Sequence, residues 1–162
     1  MTDQDHRLRI LLLRHGEAAG SADPGLTRAG RLAVQSAARR AATAGLHPFE
    51  WILHSPLRRA VETAALLAER GRSAPTHMWP ELLPDGSAEA AGVRLCALAE
   101  EGVRTVAVVS HLPLLPALAA WLCDATLPFA TASGWLLGAE AESAWRGAFD
   151  TERALEHEDR DR

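Results

Sequence analysis

The sequence predicts an α/β fold of three layers, a mainly parallel sheet flanked by helices, and three observations carry that reading. Continuous apolar runs of strand length, Leu8 to Leu13, Trp51 to Leu53 and Thr105 to Val109, recur along the chain, as expected of strands covered on both faces. Stretches rich in Ala, Arg and Leu, of helical length, lie between them. The 162 residues, 48% hydrophobic and 23% charged, suffice for one buried core and are too few for two comfortable ones. One domain is therefore expected over 1–150, followed by a charged tail, 151–162, that should fray.

Taken in order, Leu8–Leu13 is the first strand. A helix over 28–44 follows Thr27 as N-cap and stops at Gly45, with a shallow apolar face through Leu32, Ala33, Ser36, Ala37 and the stem of Arg40. Trp51–His54 is a second strand. The helix after it is predicted over 56–70, with Ser55 as N-cap, Pro56 at the first helical position and Gly71 as the stop. Residues 71–87, with Arg72, Pro75, Pro80 and Pro84, have no scaffold role in this scheme. A helix over 88–101 ends at Gly102, Thr105–Val109 is a buried strand with β-branched residues, and Pro113–Leu122 is a short helix. Thr131–Leu137 and Ala144–Ala148 read as edge strands.

Composition narrows the function. A net charge of −4 argues against nucleic acid as a partner, because binding a phosphate backbone needs a clustered positive field. All 17 basic residues are Arg. Without Lys there is no Walker A phosphate loop and no Schiff-base chemistry. Cys96 and Cys123 lie in apolar settings without a paired motif and read as free thiols. The polar start Met1–Arg7 does not look like a secretory signal, and Pro113, Pro116 and Asp124 break up the apolar stretch 112–123. A cytoplasmic protein with no membrane partner is expected, with a monomer favoured.

Chemistry concentrates at the strand ends. Arg14-His15-Gly16-Glu17 ends the first strand, and Ser110-His111-Leu112-Pro113 ends the strand before the last helix. In a mainly parallel sheet ligands bind beyond the carboxyl ends of the strands, so His15 and His111 should share one crevice. Ser55-Pro56-Leu57-Arg58-Arg59 opens a helix after the second strand, Trp51–His54, and places two guanidiniums where a helix N-terminus already favours an anion. A phosphate-sized pocket is the natural reading.

These strings, with Leu26-Thr27-Arg28-Ala29-Gly30 between them and Arg59-Ala60 and Thr63 after Ser55-Pro56, resemble the histidine phosphatase superfamily over roughly residues 8 to 138. Pro80-Glu81-Leu82-Leu83-Pro84-Asp85-Gly86 and Ser110-His111-Leu112-Pro113-Leu114 are similar to segments of its small SixA-type phosphohistidine phosphatases. The resemblance implies a phosphoglycerate mutase-like fold; 71–87 is too short to build the inserted helical cap of the larger members. One departure stands out: SixA-type proteins generally carry an arginine just before the Leu-Thr, and this chain has Asp23-Pro24-Gly25-Leu26-Thr27.

The implied activity is a metal-independent phosphatase acting on phosphohistidine of a protein or on small phosphate esters. His15 would be the nucleophile, a neutral imidazole whose other ring nitrogen is held by backbone near Gly16. Arg14 and Arg59 would grip phosphoryl oxygens as planar bidentate donors, Arg59 rather than Arg58 being the family match. His111 and Gly16 complete the substrate contacts. A basic alkoxide leaving group needs an acid, and Glu81 is the family-like candidate, with Glu17 second. No cofactor is implied, and the remaining histidines, His6, His47, His54, His77 and His157, show no metal-ligand spacing, although His54 could line the crevice. Two other readings compete. A phosphomutase needs an enclosed site, which the missing cap disfavours, and a catalytically weak phosphate-binding module is favoured only by the absent loop arginine.

Overall fold

A computed structural model describes residues 7–70 and 74–155. The strands are β1 (Arg7–Arg14), β2 (Trp51–His54), β3 (Thr76–Met78), β4 (Thr105–Ser110), β5 (Gly134–Glu140) and β6 (Asp150–Leu155). The helices are α1 (Arg28–Thr43), α2 (Arg58–Ala68), α3 (Ala88–Glu100) and α4 (Leu114–Cys123). One six-stranded sheet runs in the order β3-β2-β4-β1-β5-β6. Its first four strands are parallel and β5 and β6 are antiparallel additions, so the expected mainly parallel sheet is present.

Side chains alternate across this sheet and divide the core in two. Leu8, Ile10, Leu12, Val106 and Val108 pack with Leu95, Leu115 and Leu118 of α3 and α4. Leu11, Leu13, Ile52, Ala107 and Val109 face Ala37, Ala41, Ala64 and Leu67 of α1 and α2. Such double coverage is why the central strands read as unbroken apolar runs. Because β1 and β4 are neighbours in register, with Arg14 opposite Ser110, the residues that follow them emerge side by side.

Several boundaries differ from expectation, each for an identifiable reason. Helix α1 starts after Thr27 as predicted, with the Thr27 side chain accepting from the Gly30 N–H, but its buried face is Gly30, Val34, Ala37, Ala38 and Ala41, and Leu32 is exposed. Close approach sets this phase: a Cβ on Gly30 would lie 2.2 Å from the Glu17 carbonyl oxygen, so small residues rather than the largest apolar one face inward. Helix α2 begins at Arg58, with Leu57 in the cap position, because the Ser55 hydroxyl is engaged elsewhere. Strand β5 starts at Gly134, later than predicted, since residues 129–133 are tied back to the end of β1. Residues 71–87 do carry scaffold: β3 pairs with β2 and a single 3-10 turn spans Pro80–Leu82. Among the described residues no other helix lies between α2 and α3, and Arg72 lies outside them.

The expected strand at Ala144–Ala148 is loop, and the last strand falls instead in the predicted frayed tail, over Asp150–Leu155. Its central carboxylate is matched. Glu152 reaches Arg7 and Arg9 of β1 at 3.5 and 3.3 Å across the intervening strand. It can do so because Gly138 of β5 leaves room: a Cβ there would lie 2.0 Å from a Glu152 carboxylate oxygen. Leu155 closes the strand as a buried residue. The rest of the tail, 156–162, is outside the described residues.

Candidate active site

His15 and His111 follow directly on β1 and β4, and their rings lie 4.9 Å apart between centroids. His15 Nδ1 lies 2.7 Å from the Gly16 carbonyl oxygen, which can only accept, so the proton sits on Nδ1 and Nε2 keeps its lone pair. Arg59 Nε donates to that lone pair at 3.3 Å. The predicted backbone brace on the nucleophile candidate is thus present, and the atom left free faces an arginine.

Both imidazoles are held neutral. Burial pushes His15 down to about 4, with Arg59 and Arg14 adding to the fall and the Gly16 carbonyl opposing it. Burial also drives His111 to about 3, helped by His15, Arg59 and Arg14. Arg14 is lowered from its ordinary value by burial and by Arg59. Cations crowded without a carboxylate indicate a pocket built for an anion. Among the described residues neither Arg14 nor Arg59 has an ion-pair partner. Arg58, by contrast, pairs with Glu62 at 3.1 Å and points away from the crevice role.

Residues that sequence reasoning passed over hold these groups in place. Ser55, fully buried, hydrogen-bonds His111 Nε2 and also accepts weakly from the Leu57 N–H at 3.4 Å. Thr63 Oγ1 accepts from the Gly16 N–H at 3.1 Å and donates to the Arg59 carbonyl at 2.7 Å, joining the loop of His15 to α2. Arg14 Nη1 donates to the Phe129 carbonyl at 3.1 Å. Ala132, at a left-handed φ of 53°, turns its N–H to the Arg14 and His15 carbonyls. That strained turn is the structural reason β5 starts late. Ser55 and Thr63 were visible as motif members; nothing in the sequence marks 129–132.

Two buried polar atoms in the crevice have no partner among the described residues, Arg14 Nε and His111 Nδ1. Buried N–H groups are rarely left unsatisfied, so two beside one imidazole mark a place for an acceptor. The other candidates stand differently. Glu81 sits on the 3-10 turn and its Oε2 accepts from Arg94 at 2.9 Å. Glu17 accepts from the Thr27 hydroxyl at 2.8 Å, beside the cap of α1. His54 is buried at the end of β2 with Nδ1 on the Ser55 carbonyl. Among the described residues no cluster of His, Cys, Asp and Glu could hold a metal ion.

A model of the histidine phosphatase superfamily (branch 1) matches residues 10–83, the stretch that contains Arg14, His15, Arg59 and Glu81. Over that stretch, just under half of its length, the chain is similar to the histidine phosphatase superfamily. It is 31% identical over 102 residues to the phosphohistidine phosphatase SixA of Escherichia coli (strain K12), covering 62% of this chain and about 63% of that relative's length. The solved structure of the protein histidine phosphatase SixA complexed with tungstate superposes with a TM-score of 0.82 and 27% identity, over 91% of this chain and 96% of that one. SixA-titled structures from Nakamurella multipartitia and Agrobacterium tumefaciens share the fold at TM-scores of 0.78 and 0.76, with 21% and 23% identity and 94% and 92% of this chain covered. They cover 97% of each of those chains. The six-stranded sheet with its four helices is therefore the phosphoglycerate mutase-like fold of SixA structures.

Proposed function

We propose that this chain is a SixA-type phosphatase that takes a phosphoryl group onto Nε2 of His15 and passes it to water, acting on phosphohistidine of a protein or on small phosphate esters. The observation that carries the reading is the pair of unpartnered buried donors, Arg14 Nε and His111 Nδ1, beside an imidazole whose free nitrogen is Nε2. The related SixA structure is complexed with tungstate, a tetrahedral oxyanion of phosphate shape, and the cationic crevice of this chain suits an anion of that kind.

In the first step the Nε2 lone pair of His15 attacks phosphorus, the P–N or P–O bond to the leaving group breaks, and the leaving group departs with the bonding pair. Arg59 must release Nε2 as it turns its N–H groups to the phosphoryl oxygens. Arg14 and His111 then meet the spread negative charge, and the Gly16 carbonyl steadies the positive imidazolium through Nδ1–H. In the second step water attacks the phosphohistidine and His15 leaves neutral. Glu81 is the candidate proton donor for alkoxide leaving groups. The positive work is done by arginines, which is why no metal is invoked.

The crevice lacks a helical cover between α2 and α3 among the described residues, and an open site suits a phosphorylated side chain on a protein surface. That openness also weighs against a phosphomutase, whose intermediate must be shielded from water. The free thiols Cys96 and Cys123 suit a reducing cytoplasm. No described helix is long and apolar enough to cross a membrane.

Rapid quench with substrate labelled on phosphorus tests the reading. It should trap protein-bound label that is acid-labile and base-stable, and His15→Ala should lose both label and turnover. Undiminished turnover in His15→Ala would sink the mechanism. Phosphate binding without turnover in the unaltered protein would favour the binding-module reading.

A further inference from the structure

We propose that Arg94, on α3, is a positioning residue that holds Glu81 aside and so biases the site toward leaving groups that depart without a donated proton. The inference rests on the phosphatase reading above and assigns the specificity of that same site.

The turn that carries Glu81 is fixed against the crevice. Trp79 N–H bonds the His54 carbonyl at 2.8 Å, and the Ser110 hydroxyl donates to the Leu82 carbonyl at 2.7 Å, one residue before His111. Gly86 presses on the Glu81 backbone so closely that a Cβ there would lie 2.0 Å from the Glu81 carbonyl oxygen. With the backbone immobile, side-chain torsions alone decide where the carboxylate points. Arg94 decides them: its guanidinium lies 3.9 Å over the buried Trp79 ring and donates to Glu81 Oε2 at 2.9 Å. An arginine stacked on a buried indole is a firmer anchor than a free surface cation. Oε2 is thereby turned to α3 and occupied by a donor.

The consequence depends on the leaving group. A protonated imidazole leaves phosphorus as a neutral ring, whereas an alkyl ester must expel a strongly basic alkoxide unless a proton arrives in the transition state. A restrained Glu81 therefore penalises alkyl esters and leaves a phosphoramidate nearly untouched. The bias toward phosphohistidine comes from a contact some distance along the chain from the nucleophile.

The test compares kcat/KM for N-phosphohistidine, p-nitrophenyl phosphate and ethyl phosphate in the full chain and in Arg94→Met, which keeps an unbranched stem over Trp79 and removes the charge. Arg94→Gln serves as the second uncharged variant if Arg94→Met does not fold. The ratio of ethyl phosphate to N-phosphohistidine should rise about three- to tenfold, the size expected from losing one partly exposed ion pair and its ring contact. Arg94→Lys, which keeps the charge, should stay near the starting ratio, and adding Glu81→Gln to Arg94→Met should erase the gain. An unchanged ratio in folded Arg94→Met, or a gain that survives Glu81→Gln, overturns the role of Arg94. Turnover of all three substrates that persists in His15→Ala overturns the phosphatase reading instead.

Discussion

Ser55→Ala is the most informative single change at the site, because the bond it removes fixes which nitrogen of His111 carries the proton that the proposed mechanism offers to substrate. The Leu57 N–H points at Ser55 Oγ, so the hydroxyl proton is left for His111 Nε2. His111 is neutral at working pH, which then puts its one ring proton on Nδ1, the buried nitrogen without a partner. That proton is what a phosphoryl oxygen would accept. Without the hydroxyl, His111 can place its proton on either nitrogen, and the tautomer with a bare Nδ1 turns a lone pair toward the phosphoryl group. Removing one partner of a buried hydrogen bond costs about 1–3 kcal/mol, which at about 1.4 kcal/mol per decade is about five- to a hundredfold. A fixed wrong tautomer in a catalytic triad costs about 10⁴, which sets the upper bound. We expect kcat/KM to fall about five- to a hundredfold for phosphohistidine and aryl phosphate alike, with inorganic phosphate inhibiting more weakly. Steady-state kinetics, with circular dichroism to establish that the variant folds, read this out. Unchanged kcat/KM for a folded Ser55→Ala would refute the assignment of Nδ1–H to the substrate.

Three further outcomes follow from the same geometry. Since His15 must be unprotonated to attack and burial lowers it to about 4, the acid limb of kcat/KM, corrected for ionisation of the substrate, should fall near pH 4; a limb near 6.5 would contradict the buried site. The same shift makes the unfolded chain the better proton binder between 6.5 and about 4, so stability is full above pH 6.5 and declines as pH falls toward 4, which thermal melts across that range would register. Thr63→Val keeps shape but strands the Gly16 N–H and releases the Arg59 carbonyl, and should cost about 1–3 kcal/mol and several degrees of melting temperature; a melt within one degree would show that the bridge carries no load.

How much was legible in the sequence depended on whether a residue acts locally. The backbone brace on His15 was foreseeable, since a strand-end imidazole can find a carbonyl within its own chain segment, and Gly16 supplies it. The neighbouring of His15 and His111 followed from the parallel runs that precede them. What escaped depends on partners far away in sequence. Ser55 reads as a helix cap because Ser-Pro commonly opens helices, yet His111, 56 residues on, takes its hydroxyl. The last strand hid among charges because Glu152 is paired by Arg7 and Arg9, more than 140 residues earlier, across the gap that Gly138 leaves. Leu32 was misplaced because a hydrophobicity pattern cannot show that α1 must come close enough to exclude large side chains at Gly30.

The absent loop arginine acquires a physical sense once the charges are located. Glu62 gathers the polar groups of that corner: it accepts from the Leu26 N–H at 2.6 Å, pairs with Arg58 at 3.1 Å and lies 3.8 Å from Arg31. Its carboxyl is held below the usual range, first by the Leu26 N–H and then by Arg58 and Arg31. Arg58 in turn leans on the loop, its guanidinium carbon 2.9 Å from where a Cβ on Gly25 would sit, while its own N–H bonds Asp23 at 3.0 Å. The loop before α1 is therefore closed by a carboxylate-centred clamp rather than by an arginine shared with the substrate. On the proposed function, phosphate charge would then be met within the crevice, where Arg14 and Arg59 have no carboxylate partners among the described residues and His15 and His111 are neutral. Two guanidiniums without ion-pair partners among the described residues would balance a phosphoryl dianion electrically, and a third would tighten ground-state and product binding as well. On this argument the absent arginine should cost affinity for the ground state more than it costs the chemical step proposed for this site.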